Sequence, residues 1–380
     1  MPYGTFGTTQ YKIGSGALDC LAELKGERVG LVVDTGIMGA LDLEPRIAEL
    51  LEDAEAYEYL CTIPGEPTRE LLEGPIKACQ EFEPTWLVAI GGGATMDSAK
   101  VLWLFYELPH YTWEQACQLF AVDPFPGKCK MIAVATTSGT GSETTCCAMA
   151  DKTAEHFAMI LAPQVRPTYA VLDYDLLQSL PKSVIAFSGM DALSHAVGAS
   201  TITWANELTR TVAIAAATAT IENLVDSYNG DQGARQRMAV AATLAGQAID
   251  NSNCGLAHSV DQPGGEFRIP HGLAQAIGVP PVMELSRPQP AYVRLAHQVG
   301  FSGGDEEVTD ALIEKIRQMC RDMDVPLCYK DAGVDEGTYM ARVPAWIEET
   351  LANPSLDSHG YKATREDLEK LYRDLYYGIG

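Results

Sequence analysis

The chain has 380 residues, 47% hydrophobic and 21% charged, a globular composition with length enough for two domains rather than one core. Its 51 acidic and 27 basic residues leave a formal charge of -24, which disfavours phosphate backbones and anionic membranes as partners. No apolar run approaches the roughly 20 residues of a bilayer span, and Met1 to Gln10 lacks the basic-then-apolar pattern of a secretion signal. No nucleic acid, no membrane and a cytoplasmic location are therefore expected.

In chain order, the first half alternates strand and helix patterns. Arg28 to Val33 is a β-branched run closed by Asp34-Thr35-Gly36, and Leu41 to Ala54 reads as a helix. Trp86 to Ile90 is a short apolar strand stopping at Gly91-Gly92-Gly93, after which Thr95 to Leu104 has helical spacing. Lys130 to Ala135 and Tyr169 to Leu172 are further strands. Such alternation implies βαβ units and a parallel sheet. From about Ser183 the pattern changes to consecutive helices: Ser183 to Thr203, Ala205 to Tyr228, Ala234 to Asp250 and Asp310 to Asp322. Pro281 to Pro290 and Pro354 to Lys362 read as loops. The shift near Leu180-Pro181 divides the chain into an α/β domain, 1–180, and an all-α domain, 181–380.

Two turns attract attention. Gly91-Gly92-Gly93-Ala94-Thr95-Met96-Asp97 follows a strand and opens a helix, where glycines admit a close ligand and free N–H groups face phosphate. Alone it also fits a tight connection. Thr136-Thr137-Ser138-Gly139-Thr140-Gly141-Ser142-Glu143 likewise follows a strand and offers hydroxyls and backbone N–H groups. Two such loops at the ends of parallel strands suit one nucleotide site, although neither is a Rossmann or Walker fingerprint. Asp34 is either an acceptor for ribose hydroxyls, favouring NAD over NADP, or a turn residue before Gly36.

Of seven histidines, three fall between positions 195 and 271. Asp191 and His195 are four apart in a helical segment and share a face; His258 ends another helical stretch; His271 follows Pro270 at a helix start. Three imidazoles and a carboxylate form a borderline-soft set suited to Fe2+ or Zn2+. Each piece alone also reads as ordinary packing. The ten cysteines have no ladder of paired spacings and read as small buried hydrophobes. Cys254, four residues before His258, is read as a core thiol, with softer metal ligand as the alternative.

With these segments in hand, the sequence resembles the iron-containing, or group III, alcohol dehydrogenases over nearly its whole length. The resemblance is carried by Gly91 to Lys100 (GGGATMDSAK), Thr136 to Thr145 (TTSGTGSETT), Ser188 to Ala199 (SGMDALSHAVGA) and Gly255 to Ile277 (GLAHSVDQPGGEFRIPHGLAQAI). It implies a dehydroquinate synthase-like fold, with an α/β nucleotide-binding domain before an all-helical one and the active site in the cleft between. It places metal ligands at Asp191, His195, His258 and His271. It places cofactor contacts at Asp34, Gly91, Gly92, Gly93, Ala94, Thr136, Thr137 and Ser142; Thr95 and Asp97, in the same turn, are expected to join them. It also implies a homodimer or larger homo-oligomer. This chain departs from the family in having Ala94 where serine is usual and Gln262 where many members have a histidine. Its His258 to His271 interval is one residue shorter, and a lysine usual near His156 and Phe157 is absent.

The expected chemistry is reversible hydride exchange between NAD(H) and a small primary alcohol or its aldehyde, with the metal as Lewis acid. Gln262 and Arg268 are the expected substrate-side residues. Arg268, three residues before His271, would suit an anionic end such as a carboxylate or sulfonate, as in succinate semialdehyde or sulfoacetaldehyde. Glycerol dehydrogenase-like polyol oxidation and a non-catalytic nucleotide-binding role are the competing readings.

Overall fold

A computed structural model describes residues 6–7, 9–65, 67–152 and 157–379. The chain divides into two compact units, one of Gly7–Leu180 and one beginning at Pro181.

The first unit carries β1 (Gln10–Ile13), β2 (Arg28–Asp34), β3 (Ala56–Ile63), β4 (Trp86–Gly91), β5 (Lys130–Ala135), β6 (Cys147–Lys152), β7 (Phe157–Leu161) and β8 (Tyr169–Leu172). Six of them pair in parallel in the order β1-β8-β5-β4-β2-β3, while β6 and β7 form an antiparallel hairpin. Its helices are α1 (Thr35–Ala40), α2 (Leu43–Leu50), α3 (Arg69–Phe82), α4 (Gly93–Glu107) and α5 (Trp113–Ala116). The central strands read as unbroken apolar runs because both faces are covered. Along β4, Leu87 and Ala89 join the core under α3 and α4, while Val88 and Ile90 join the opposite core with Leu18, Leu43 and Ile47.

The second unit is helical: α6 (Lys182–Thr201), α7 (Glu207–Tyr228), α8 (Gln232–Asp250), α9 (Leu256–Ser259), α10 (Gln262–Glu266), α11 (His271–Ser286), α12 (Pro290–Gln298), α13 (Asp305–Asp322), α14 (Glu336–Ala352) and α15 (Arg365–Tyr377). Helix α6 is buried on all sides from Gly189 to Thr201 and packs against α7, α8 and α11, as expected of a helix apolar all round. Among the described residues no helix is long and apolar enough to cross a membrane.

Two expectations need correction. The helix expected over Leu41 to Ala54 is the shorter α2, Leu43–Leu50; it is preceded by a separate α1 and divided from it where Asp42 takes a left-handed φ of 47°. The loop from Pro281 to Pro290 is largely helix: Pro280 and Pro281 lie buried inside α11, which runs to Ser286. Proline removes an N–H and usually ends a helix, but here the packing of α11 against α6, α9 and α15 outweighs that loss. Elements α3 and α14 had no clear sequence signature because Pro75 and Pro344 interrupt them, and β3 because it is a half-exposed edge strand.

His359 is buried, with Nδ1 2.8 Å from Thr201 Oγ1 at the end of α6, and burial pulls its pKa down to about 4. A depressed histidine contributes nothing above its unfolded value near 6.5 and destabilises the fold as pH falls from there toward 4. The loss at pH 4 is about 3 kcal/mol. Denaturant titrations between pH 7 and pH 4 should show this fall, and His359→Gln should flatten it.

Candidate metal centre and nucleotide turn

The helical unit brings the four expected metal-site residues together. Asp191 and His195 project from the same face of α6, at 2% and 6% exposure. His258 comes from α9 and His271 from the first turn of α11. Asp191 Oδ1 lies 3.7 Å from His195 Nε2, 3.5 Å from His258 Nε2 and 3.4 Å from His271 Nε2. The His195 and His258 rings stack with centroids 4.6 Å apart.

Close backbone contact holds this convergence in place. A β-carbon at Gly198 would run into the Cys254 carbonyl, and one at Gly272 would run into the Phe187 carbonyl. These two absent side chains let the His258 and His271 segments lie directly on α6.

Asp191 Oδ1 and His258 Nε2 are buried with no hydrogen-bond partner. Buried polar atoms are nearly always paired, so two such atoms aimed at one point fit a bound cation. The donor set, nitrogen and carboxylate, is that of a first-row divalent metal. Burial opposes ionisation of Asp191, but the imidazoles of His195, His271 and His258 around it outweigh that and hold the carboxyl well below its usual range. Burial likewise opposes a charged His271, and the carboxylates of Asp191 and Asp261 overcome it, pushing His271 up to about 10.

The sequence reading missed the residues behind the ligands. His271 Nδ1 lies 2.7 Å from Asp261 Oδ2. Ser194 Oγ donates to Gln275 Oε1 at 2.7 Å, which leaves its lone pairs for His258 Nδ1–H at 3.3 Å. Both contacts hold the proton on Nδ1, so that Nε2 is the nitrogen a metal ion would take, displacing any proton there. Asp261 lies three residues after one ligand and ten before another, a spacing with no sequence signature.

Gln262 is committed elsewhere. Its amide donates to Ser259 O at 3.0 Å and Thr350 Oγ1 at 3.3 Å, and accepts from the Tyr372 hydroxyl at 2.7 Å. Arg268 is exposed in the loop before α11, with a left-handed φ of 55°. His156 lies outside the described residues.

The α/β unit assembles the other expected constellation. Strands β2, β4 and β5 are neighbours, so Asp34, the glycine turn and the threonine-rich loop stand side by side at the carboxyl ends of the sheet. Thr136 N donates to Gly91 O at 3.1 Å, and the Thr140 side chain packs against Gly93. Helix α4 starts at Gly93 after Gly92 with no side-chain cap, so its first N–H groups, including that of Ala94, are left for a ligand. Thr95 and Thr136 hydroxyls are buried there without a partner. Asp34 caps α1, its Oδ1 accepting from Gly36 N and Ile37 N at 2.7 and 3.1 Å. Thr137 sits opposite Gly92.

Asp97 and Ser142 are held in a network that the sequence reading did not foresee. Lys100 is fully buried, donating to Ser142 Oγ at 2.7 Å, Thr145 Oγ1 at 3.1 Å and Cys147 O at 2.7 Å, with Asp97 at 3.8 Å. Ser142 Oγ donates in turn to Asp97 Oδ1 at 2.6 Å. The network ties α4 to the threonine-rich loop. Its only trace in sequence is a lysine inside the apolar run of α4, three residues after Asp97.

Two outcomes follow. Asp261→Asn should lower metal affinity about 10- to 100-fold with the fold intact, measured by metal titration and circular dichroism. Lys100→Met leaves Ser142, Thr145 and the Cys147 carbonyl without their buried donor and should cost about 1–3 kcal/mol in denaturant unfolding.

Both halves of the chain are similar to known proteins. Residues 8–174 match the family model described as iron-containing alcohol dehydrogenase, and residues 185–376 match the C-terminal model of the Fe-containing alcohol dehydrogenase family. The chain is 31% identical over 371 residues to an NADPH-dependent butanol dehydrogenase of Clostridium saccharobutylicum, covering 96% of each. It is similar in structure to an iron-containing alcohol dehydrogenase from Thermococcus thioreducens, with TM-score 0.89 and 29% identity over 99% of this chain and 100% of that one. A sulfoacetaldehyde reductase from Bifidobacterium kashiwanohense, solved with NAD+, shares the fold at TM-score 0.85 and 20% identity, over 99% of this chain and 100% of that one. Matched over both halves, the chain belongs to the iron-containing alcohol dehydrogenase family and is an oxidoreductase.

Proposed function

We propose that the protein interconverts a small primary alcohol and its aldehyde with NAD(H), using a divalent metal, Fe2+ by family, held by Asp191, His195, His258 and His271. The observation that carries this is the convergence of those four side chains on one point, with Asp191 Oδ1 and His258 Nε2 unpartnered there. When bound, the ion supplies Lewis acidity toward the substrate oxygen.

The chain's own residues do the rest of the positioning. Asp261 and Ser194 fix the imidazole tautomers. The uncapped start of α4 and the threonine-rich loop receive the dinucleotide diphosphate through backbone N–H groups. Asp34 stands where the adenosine ribose would lie, and its fixed carboxylate favours NAD over a 2′-phosphorylated cofactor. The butanol dehydrogenase relative is named for NADPH, so this choice separates the two proteins. Gln262, with both ends of its amide engaged by Ser259, Thr350 and Tyr372, holds its segment and carries no proton.

A narrower reading concerns the substrate. Arg268 is exposed three residues before His271 and makes no ion pair among those of the described residues, so its charge is available to an anionic substrate end. Reduction of short aldehydes by the Fe2+-loaded enzyme, followed with NADH and with NADPH, tests all three statements. NADH should be preferred, and Asp34→Gly should narrow that preference about tenfold or more. Turnover with neither cofactor would sink the dehydrogenase reading. Arg268→Ala should lower kcat/KM about tenfold more for carboxylate- or sulfonate-bearing aldehydes than for neutral ones; equal losses would remove the anion reading.

A further inference from the structure

Beside the four-ligand centre stands a second triplet of donors. The ligand atoms of His195, Cys254 and His258 all lie within 4.8 Å of one another, as do those of Asp191, His258 and His271. His258 belongs to both triplets. An ion about 2.3 Å from sulfur and about 2.1 Å from nitrogen spans donor separations up to about 4.4 Å. A few tenths of an ångström of side-chain movement therefore suffices for His195, Cys254 and His258 to share one ion.

The backbone holds the Cys254 segment against α6. The Cys254 carbonyl lies against Gly198, three residues after His195 on α6, and Gly255 follows with a left-handed φ of 78°. Cys79 and Cys320, by contrast, are fully buried among apolar side chains. Cys254 is the one cysteine found in a donor cluster among the described residues. An independent observation marks the point as a cation position: Asp191, 2% exposed, directs an unpartnered Oδ1 at the same pair of imidazoles.

We propose that Cys254 is a fifth donor of the metal centre, binding through sulfur beside His195 and His258 and selecting ions that accept thiolate, such as Fe2+, Co2+ and Zn2+, over Mg2+ and Mn2+. On binding, the metal–sulfur bond forms as the S–H bond breaks, and the proton passes to solvent. No change of oxidation state is involved. The proposal rests on the metal-centre reading above, and the test separates the two.

The protein, freed of metal with a chelator, is titrated with Co2+ and followed by absorbance. Visible ligand-field bands report cobalt in the centre, and a near-ultraviolet sulfur-to-cobalt charge-transfer band reports thiolate ligation. The expected result is one equivalent of cobalt with both signals, and loss of the charge-transfer band alone in Cys254→Ser. Cys254→Ala, with circular dichroism, guards against a folding effect of the serine. Ligand-field bands without charge transfer in the unaltered protein, or a charge-transfer band that survives in both variants, would overturn the role of Cys254 and leave the four-ligand centre standing. Failure to bind cobalt at all would overturn the metal centre and this proposal with it.

Discussion

Asp191 is a carboxylate buried in the middle of a helix that is itself buried, with imidazole nitrogens about 3.5 Å away and no hydrogen bond to its Oδ1. Taking a charge out of water costs several kcal/mol unless a partner replaces the lost hydration. The helical unit is arranged around that requirement. Helix α6 presents Asp191 and His195; glycine contacts seat the His258 and His271 segments against it; Asp261 and Ser194 hold the rings at the correct nitrogen. Each of these features loses its reason if the carboxylate is removed.

The α/β unit meets a different electrostatic constraint by a different means. The protein carries a formal charge of -24, yet the expected nucleotide is an anion. The glycine turn has no lysine or arginine of its own to offset this. What it offers is backbone: an uncapped helix start and two loops brought together by adjacent strands. The lysine nearest to it, Lys100, points inward and is spent on Ser142, Thr145 and the Cys147 carbonyl. Positive charge thus holds the loop's shape, while the exposed N–H groups remain for the ligand.

Gln262 illustrates how a substitution at a family position can be absorbed structurally. A histidine there would titrate near neutral pH; the amide instead closes a network with Thr350, Tyr372 and the Ser259 carbonyl. Trp346 and Tyr339 pack alongside that network, and Glu266 joins it to α14 through Arg342. The segment between His258 and His271 is therefore braced by α14 and α15.

Local pattern determined the parallel sheet, the change to helices after Leu180-Pro181 and the shared face of Asp191 and His195, because strand and helix periods and an i, i+4 pair are readable over a few residues; the full ligand set came from the order and spacing of the longer motifs. It also marked the two turns, since two such loops after parallel strands suit one nucleotide site better than either does alone. Tertiary structure decided the rest. It placed Pro280 and Pro281 inside α11, where packing overrides an unfavourable local residue. It brought Asp261 to His271 and Ser194 to His258, contacts between residues 10 and 64 positions apart. It turned Asp97 and Ser142 toward Lys100, and it set Cys254 beside two imidazoles by seating its carbonyl on Gly198. Spacing along a chain reports only which side chains share a face; which faces meet depends on how closely backbones can approach, and here that was set by residues with no side chain at all.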